Sequence, residues 1–212
     1  MRVLFQGDSI TDVSREKKNE RVAELNFPPV LGSGYPQLIS AKLGFEYPNE
    51  YEFINRGISG NRIVDLPGRV RADVIKLQPD VLSVLVGVND VWHEYLTGNG
   101  VSTELYEVVY NLFIREIKKE LPNVRIMILE PFVLKGVATE EIFDEFKDSV
   151  LEKAAAAKRV AEVNGLEFIP LQNKFDEAEK IAPAKYWLGD GVHPTPFGHE
   201  LIAREWLKAF KK

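Results

Sequence analysis

Five short apolar runs punctuate the chain: Arg2–Gln6, Tyr51–Asn55, Val81–Val86, Val124–Leu129 and Leu166–Ile169. Their near-continuous apolar character is that of strands covered on both faces. Between them the apolar positions recur at a 3.6-residue spacing. This predicts helices over Tyr35–Leu43, Val64–Leu77, Ser102–Leu121, Thr139–Asn164 and from Pro194 to about Phe210. Local signals mark several ends. Ser102-Thr103-Glu104 opens one helix and Pro122 closes it, Gly165 caps the next, and Pro194 starts the last. A Pro-Gly pair interrupts the start of the second helix.

Strands alternating with helices predict an α/β domain around a parallel sheet. The 212 residues hold no linker, internal repeat or low-complexity tract, so a single domain over residues 1–212 is expected. One segment breaks the rhythm. Asp12–Gly34 joins the first strand to the first helix and carries Arg15, Glu16, Lys17, Lys18, Glu20 and Arg21. A connection this long is either a solvated excursion or a substrate-side lid or oligomer contact.

Composition narrows the function classes. Charged residues make up 28% of the chain and the net charge is −5, with no Lys/Arg cluster, so nucleic acid is not an expected partner. The absence of cysteine excludes disulfides, thiolate metal sites and a cysteine nucleophile. No apolar run approaches the ~18 residues of a membrane span. The first strand begins at about residue 2, which leaves no room for a signal peptide. A cytoplasmic protein without a membrane partner is the expectation.

Parallel sheets bind ligands outside the carboxyl ends of their strands. The first strand is followed by Gly7-Asp8-Ser9, the second by a turn holding Ser59-Gly60-Asn61, the third by Gly87-Val88-Asn89-Asp90. In a 2-1-3-4-5 strand order these three loops converge. They bring together a hydroxyl, a glycine backbone and a side-chain amide, a set suited to acyl transfer. Gly60, without a Cβ, lets an acyl group approach its N–H. A base is needed, and only His93, His193 and His199 are available. His193 lies three residues after Asp190, a spacing that lets the carboxylate reach Nδ1 in a turn. Plainer readings stand beside these. Ser9 alone is an ordinary turn or cap residue, Asn89-Asp90 an ordinary Asx turn, and His199 a surface or packing residue. Asp190 and His193 find no further ligands at metal spacing, so no metal is expected.

Gly7-Asp8-Ser9, the glycine of Ser59-Gly60-Asn61, Gly87-x-Asn89-Asp90 and Asp190-x-x-His193-Pro194 together resemble the GDSL/SGNH esterase superfamily. The four blocks occur in order and span nearly the whole chain. The resemblance implies a three-layer αβα sandwich, flavodoxin-like, with a five-stranded parallel sheet. It implies Ser9 as nucleophile, His193 as base and Asp190 as its orienting carboxylate. The oxyanion donors would be the Ser9 N–H, the Gly60 N–H and the Asn89 side chain, with no cofactor. The stretches around Ser9, Asn89 and His193 are most similar to bacterial acetylxylan-esterase-like carbohydrate acetylesterases. That branch implies a small-molecule or oligosaccharide ester as substrate, and it leaves a homo-oligomer open. Asp8, Trp92, Trp187 and His93 are the candidate substrate contacts, although Asp8 equally suits bonding its own loop and the two tryptophans equally suit the core. Two alternatives remain: a lysophospholipase or thioesterase for longer chains, and a non-catalytic carbohydrate-binding protein.

Overall fold

The computed structural model describes residues 1–17 and 28–211. Its sheet holds β1 (Arg2–Gly7), β2 (Glu52–Asn55), β3 (Val81–Leu85), β4 (Arg125–Leu129) and β5 (Glu167–Ile169). All neighbours are parallel and the order is β2-β1-β3-β4-β5. The chain steps from β1 to one side for β2 and to the other for β3. The carboxyl end of β1 therefore sits at the switch point, where a parallel sheet leaves a crevice.

The helices that matter here are α1 (Ser9–Asp12), α2 (Tyr35–Glu46), α3 (Val88–Thr97), α4 (Thr103–Glu120), α5 (Phe143–Asn164), α6 (Gln172–Glu179), α7 (Ala184–Trp187) and α8 (Pro196–Phe210). Strand alternation divides the interior into two cores. Val3, Phe5, Leu85 and Met127 pack with Tyr35 and Ile39 of α2 and with Ile202 and Trp206 of α8. Leu4, Val84 and Ile128 point the other way, onto Tyr106 and Phe113 of α4 and Val160 of α5. The result is the expected αβα sandwich. Each fully buried Leu, Ile or Phe contributes roughly 1.5–3 kcal/mol. Ser83, buried in the middle of the sheet, is matched by the Trp206 indole N–H, which donates to its Oγ at 3.1 Å.

Several elements depart from the periodicity, including α6 and α7, which no predicted helix covers. The expected helix over Val64–Leu77 is instead a series of short turns: 3₁₀ pieces at Ile63–Asp65, Pro67–Arg69 and Ile75–Leu77 around one α-turn at Val70–Asp73. Pro67 lacks the N–H that a continuous helix would need from it. Conversely, α3 stands where a loop was expected. It follows β3 almost without a connection, because Gly87 turns the chain at φ +144°.

Part of the charged excursion after α1 lies outside the described residues, including Lys18, Glu20 and Arg21. The reading of this segment as a lid or oligomer contact falls there too. Its described charges are not all solvated. The Arg15 Nε donates to the Gly57 carbonyl at 2.8 Å, and Lys17 pairs with Asp12 at 2.5 Å. Among the described residues no helix is long and apolar enough to cross a membrane.

Candidate active site

The site begins with a steric constraint. A Cβ on Gly7 would lie 2.3 Å from the Leu85 carbonyl and 2.4 Å from Thr11 Oγ1, so only glycine can end β1 this close to β3. Asp8 then caps α1 by accepting the Ile10 N–H at 2.9 Å. Ser9 follows as the first residue of the turn. Its N–H belongs to the set that a helix start leaves without an intrahelical acceptor. Its hydroxyl lies 3.0 Å from His193 Nε2.

His193 is reached from the far end of the chain. Its Nδ1 is 2.7 Å from Asp190 Oδ2, while Asp190 Oδ1 accepts the His193 and Val192 N–H groups at 2.7 and 2.9 Å. This fixes the tautomer. Nδ1–H faces the carboxylate, and Nε2 is left to accept from Ser9. The hydrogen bond to Asp190 raises the His193 pKa against the opposing effect of burial. Burial pushes the Asp190 carboxyl upward, but the His193 and Val192 bonds outweigh it and hold Asp190 at about 2. The loop after β4 supports this segment. The Leu134 N–H donates to the Gly191 carbonyl at 2.9 Å and the Ala138 N–H to the Asp190 carbonyl at 3.0 Å. Gly136 and Gly191 (φ +100°) allow the two backbones to touch, since a Cβ on Gly136 would fall 2.3 Å from the Asp190 carbonyl.

Gly60 and Asn89 come from the other two loops. Gly60 sits at φ +84°, and a Cβ there would meet no described atom within 4 Å, so it faces open space. Asn89 lies in the first turn of α3 rather than in a loop. One of its amide protons is held by the Asn61 carbonyl at 3.2 Å, leaving the other to donate. Buried polar side chains brace this region. Asp12 accepts from the Ser59 N–H and Oγ–H, both at 3.0 Å. Asn55 donates to the Thr11 and Leu31 carbonyls and accepts the Gly57 N–H. Asp90 accepts the Ile63 N–H at 3.0 Å, and burial pushes its pKa up to about 8. Asp12 and Asn55 stand in the stretches that end the first and second strands, but their bracing roles were not read from the sequence, and Arg69 belongs to no strand-end motif. Asp90 stands inside one and was expected to brace its loop, as it does through the Ile63 N–H.

The remaining candidates divide. Trp92 lies against His193, with ring centroids 5.6 Å apart. His93, one position on, is half-buried near Asp65. Asp8 does not face a substrate. Its carboxyl is buried, capping α1 through Oδ1, and burial pushes its pKa up to about 7. Trp187 is likewise turned away. Its indole N–H bonds the Ala178 and Ala182 carbonyls, and its ring lines a separate cavity with Ile181, Tyr186 and Phe197. His199 is buried in α8, where Nδ1 accepts the Tyr35 N–H at 3.2 Å, and burial lowers its pKa to about 4. Among the described residues no cluster of three or more His, Asp or Glu side chains is arranged to hold a metal ion.

Comparison with known proteins gives a consistent picture. Residues 5–201 match the GDSL-like Lipase/Acylhydrolase family. The chain is 32% identical to an acetylxylan esterase of Geobacillus stearothermophilus, covering 98% of this chain and 92% of that protein. It superimposes on a crystal structure from Parabacteroides merdae, named for the GDSL-like lipases, with a TM-score of 0.92 at 38% identity, over 99% of this chain and 95% of the other. It is similar also to Axe2, an acetylxylan esterase of Geobacillus stearothermophilus, with a TM-score of 0.86 at 30% identity, over 100% and 94% of the two chains. Catalytic mutants of Axe2 replace a serine, an aspartate and a histidine by alanine.

Proposed function

The chain belongs to the GDSL-like lipase/acylhydrolase family and is a carboxylic ester hydrolase, and from that premise we propose that it removes acetyl groups from xylo-oligosaccharides with Ser9 as nucleophile. The observation that carries this reading is the continuous chain Ser9 Oγ–His193 Nε2–Asp190, at 3.0 and 2.7 Å. His193 takes the Ser9 hydroxyl proton as Oγ attacks the ester carbonyl. The oxyanion that forms accepts from the Ser9 N–H, the Gly60 N–H and the free proton of the Asn89 amide. As the tetrahedral species collapses, His193 hands its proton to the departing sugar oxygen. The acetyl group is left on Ser9. Water, deprotonated by His193, then attacks that acetyl carbonyl, releases acetate and restores the serine. Asp190 keeps the imidazole oriented and stabilises its cation throughout.

Two observations support a short acyl group and a sugar. The Trp92 ring beside His193 supplies a wall that suits acetyl better than a long chain. The relatives include an acetyl-xylooligosaccharide esterase. The deciding experiment is hydrolysis of p-nitrophenyl acetate by wild type and Ser9→Ala, followed by an acyl-length series and acetylated xylo-oligosaccharides. Ser9→Ala is expected to lose about 10⁶-fold in kcat, the loss found for the nucleophile of a comparable triad. Retained turnover in that variant sinks the nucleophile assignment. Octanoate hydrolysed faster than acetate sinks the acetyl assignment and favours a long-chain hydrolase.

A further inference from the structure

Arg69 has no place in the motifs, and the periodicity put it in the middle of a surface helix. The structure instead folds it inward, with only 15% of its side chain exposed. Five acceptors surround its guanidinium. Nε donates to Asn61 Oδ1 at 2.9 Å, and Nη2 to the Gly7 carbonyl at 3.3 Å. Nη1 faces the Arg56 carbonyl at 2.7 Å, Gln6 Oε1 at 3.0 Å and Asp73 Oδ2 at 2.7 Å.

These acceptors are distributed in a telling way. Gly7 is the hinge directly before Asp8-Ser9. Arg56 and Asn61 bracket the turn that carries Gly60. Asn61, whose side-chain oxygen Arg69 holds, accepts from the Asn89 amide through its backbone carbonyl. One side chain thus touches the backbone or a neighbour of every oxyanion donor. We propose that Arg69 is the positioning residue of the oxyanion hole, setting the spacing of the Ser9 N–H, the Gly60 N–H and the Asn89 amide. The inference rests on the donor roles proposed above.

The chemistry favours arginine for this task. A guanidinium is a rigid planar fork that bonds several acceptors at fixed angles, whereas an ammonium concentrates its donors on one atom at the end of a flexible stem. Lysine at position 69 keeps the charge beside Asp73 but cannot span Gly7, Arg56 and Asn61 together. Oxyanion donors must be aligned before charge develops, so small displacements are felt in kcat and much less in substrate binding. A shift of about 1 Å at a reacting group costs up to about 100-fold.

The test compares wild type, Arg69→Lys, Arg69→Ala and Ser9→Ala. The readouts are kcat and KM on p-nitrophenyl acetate and the inhibition constant of phenylboronic acid, which forms a tetrahedral adduct on an active serine. Arg69→Lys is expected to lose ~100-fold in kcat with KM within about threefold. Its boronate affinity should weaken in parallel, because the adduct uses the same donors. Millimolar guanidinium added to Arg69→Ala should restore a large part of the lost kcat, a rescue that general destabilisation does not allow. If Arg69→Ala fails to fold, Arg69→Lys decides. A folded Arg69→Lys with kcat near wild type overturns the proposal, as does a fall in kcat with unchanged boronate affinity. Full turnover in Ser9→Ala instead defeats the underlying catalytic reading.

Discussion

The two halves of the proposed catalytic crevice, one holding the proposed oxyanion donors and the other the proposed base, are held by different physics. The oxyanion half is pinned by buried polar side chains. Asp12 and Asp90 are each 1% exposed, and with Asn55 and Arg69 they bond the backbone of the loops that carry Ser9, Gly60 and Asn89. The base half is held by backbone contacts. Leu188 and Pro194 form a bridge, the Gly189 N–H returns to the His193 carbonyl at 2.9 Å, and the 134–138 loop supports the whole segment. The side chains of His193 and Asp190 remain 45% and 32% exposed. The contrast follows from what each half must do. Oxyanion donors stabilise charge only if they do not reorganise when it forms. The base must pass a proton to a leaving group and then collect one from water, which requires access.

The comparison breaks most severely at Asp190. Asp190→Asn leaves the backbone in place but offers the imidazole a side chain that favours the wrong tautomer. A loss of about 10⁴-fold in kcat is expected, as in a comparable triad. The pH profile sharpens the assignment. In the proposed mechanism His193 acts as a base only when neutral, so activity should fall as pH drops through its pKa, which the Asp190 bond raises. Removing that carboxylate should move the acid limb of kcat/KM to lower pH. An unmoved limb would mean that another group controls it.

A smaller effect is expected at Gly136, which tests whether backbone contact is what holds the base half. An alanine there places its Cβ 2.3 Å from the Asp190 carbonyl, so the two segments must separate. Overpacking of this kind costs about 1–3 kcal/mol. Thermal unfolding should register that loss, and kcat should fall with KM nearly unchanged. A Gly136→Ala enzyme with wild-type kcat would show that the base loop tolerates displacement.

The smallest effect on activity is expected at Asp8, which directly precedes Ser9 and is tested through stability. Burial raises its pKa to about 7, so the folded state favours the neutral acid more than the unfolded chain does. That stabilisation is complete below the ordinary carboxyl range near 4 and is lost as pH rises through about 7. Asparagine keeps the capping oxygen and cannot ionise. Asp8→Asn should therefore gain on wild type by roughly 3–4 kcal/mol more at pH 8.5 than at pH 4.5. Equal differences in melting temperature at the two pH values would show that folding leaves the Asp8 pKa unshifted.

The amino-acid sequence alone determined the sheet, its parallel sense and the four motifs, three of them at strand ends. Strands buried on both faces leave continuous apolar runs, and chemistry at a strand end leaves glycine, carboxylate and amide at recognisable spacings. Period-based reading failed where the chain turns without a loop. Gly87 bends β3 directly into α3, so Asn89 was read as a loop residue although it stands in the first turn of a helix. It failed again at Val64–Leu77, where Pro67 and contacts from other segments replace helix with short turns. Trp187, next to a motif, suited either the core or a substrate wall, and its indole is held by the carbonyls of Ala178 in α6 and Ala182 just beyond it.

What only the tertiary structure decided is which charged residues hold the site in shape. Arg69 and Asp12 stand among many Arg and Asp residues and carry no local signature. Their importance comes from acceptors and donors as far as 63 residues away in sequence. Local patterning reports what a residue is and how its neighbours repeat. Which distant carbonyl a guanidinium meets depends on how the strands and loops pack, and that is settled only when the chain is folded.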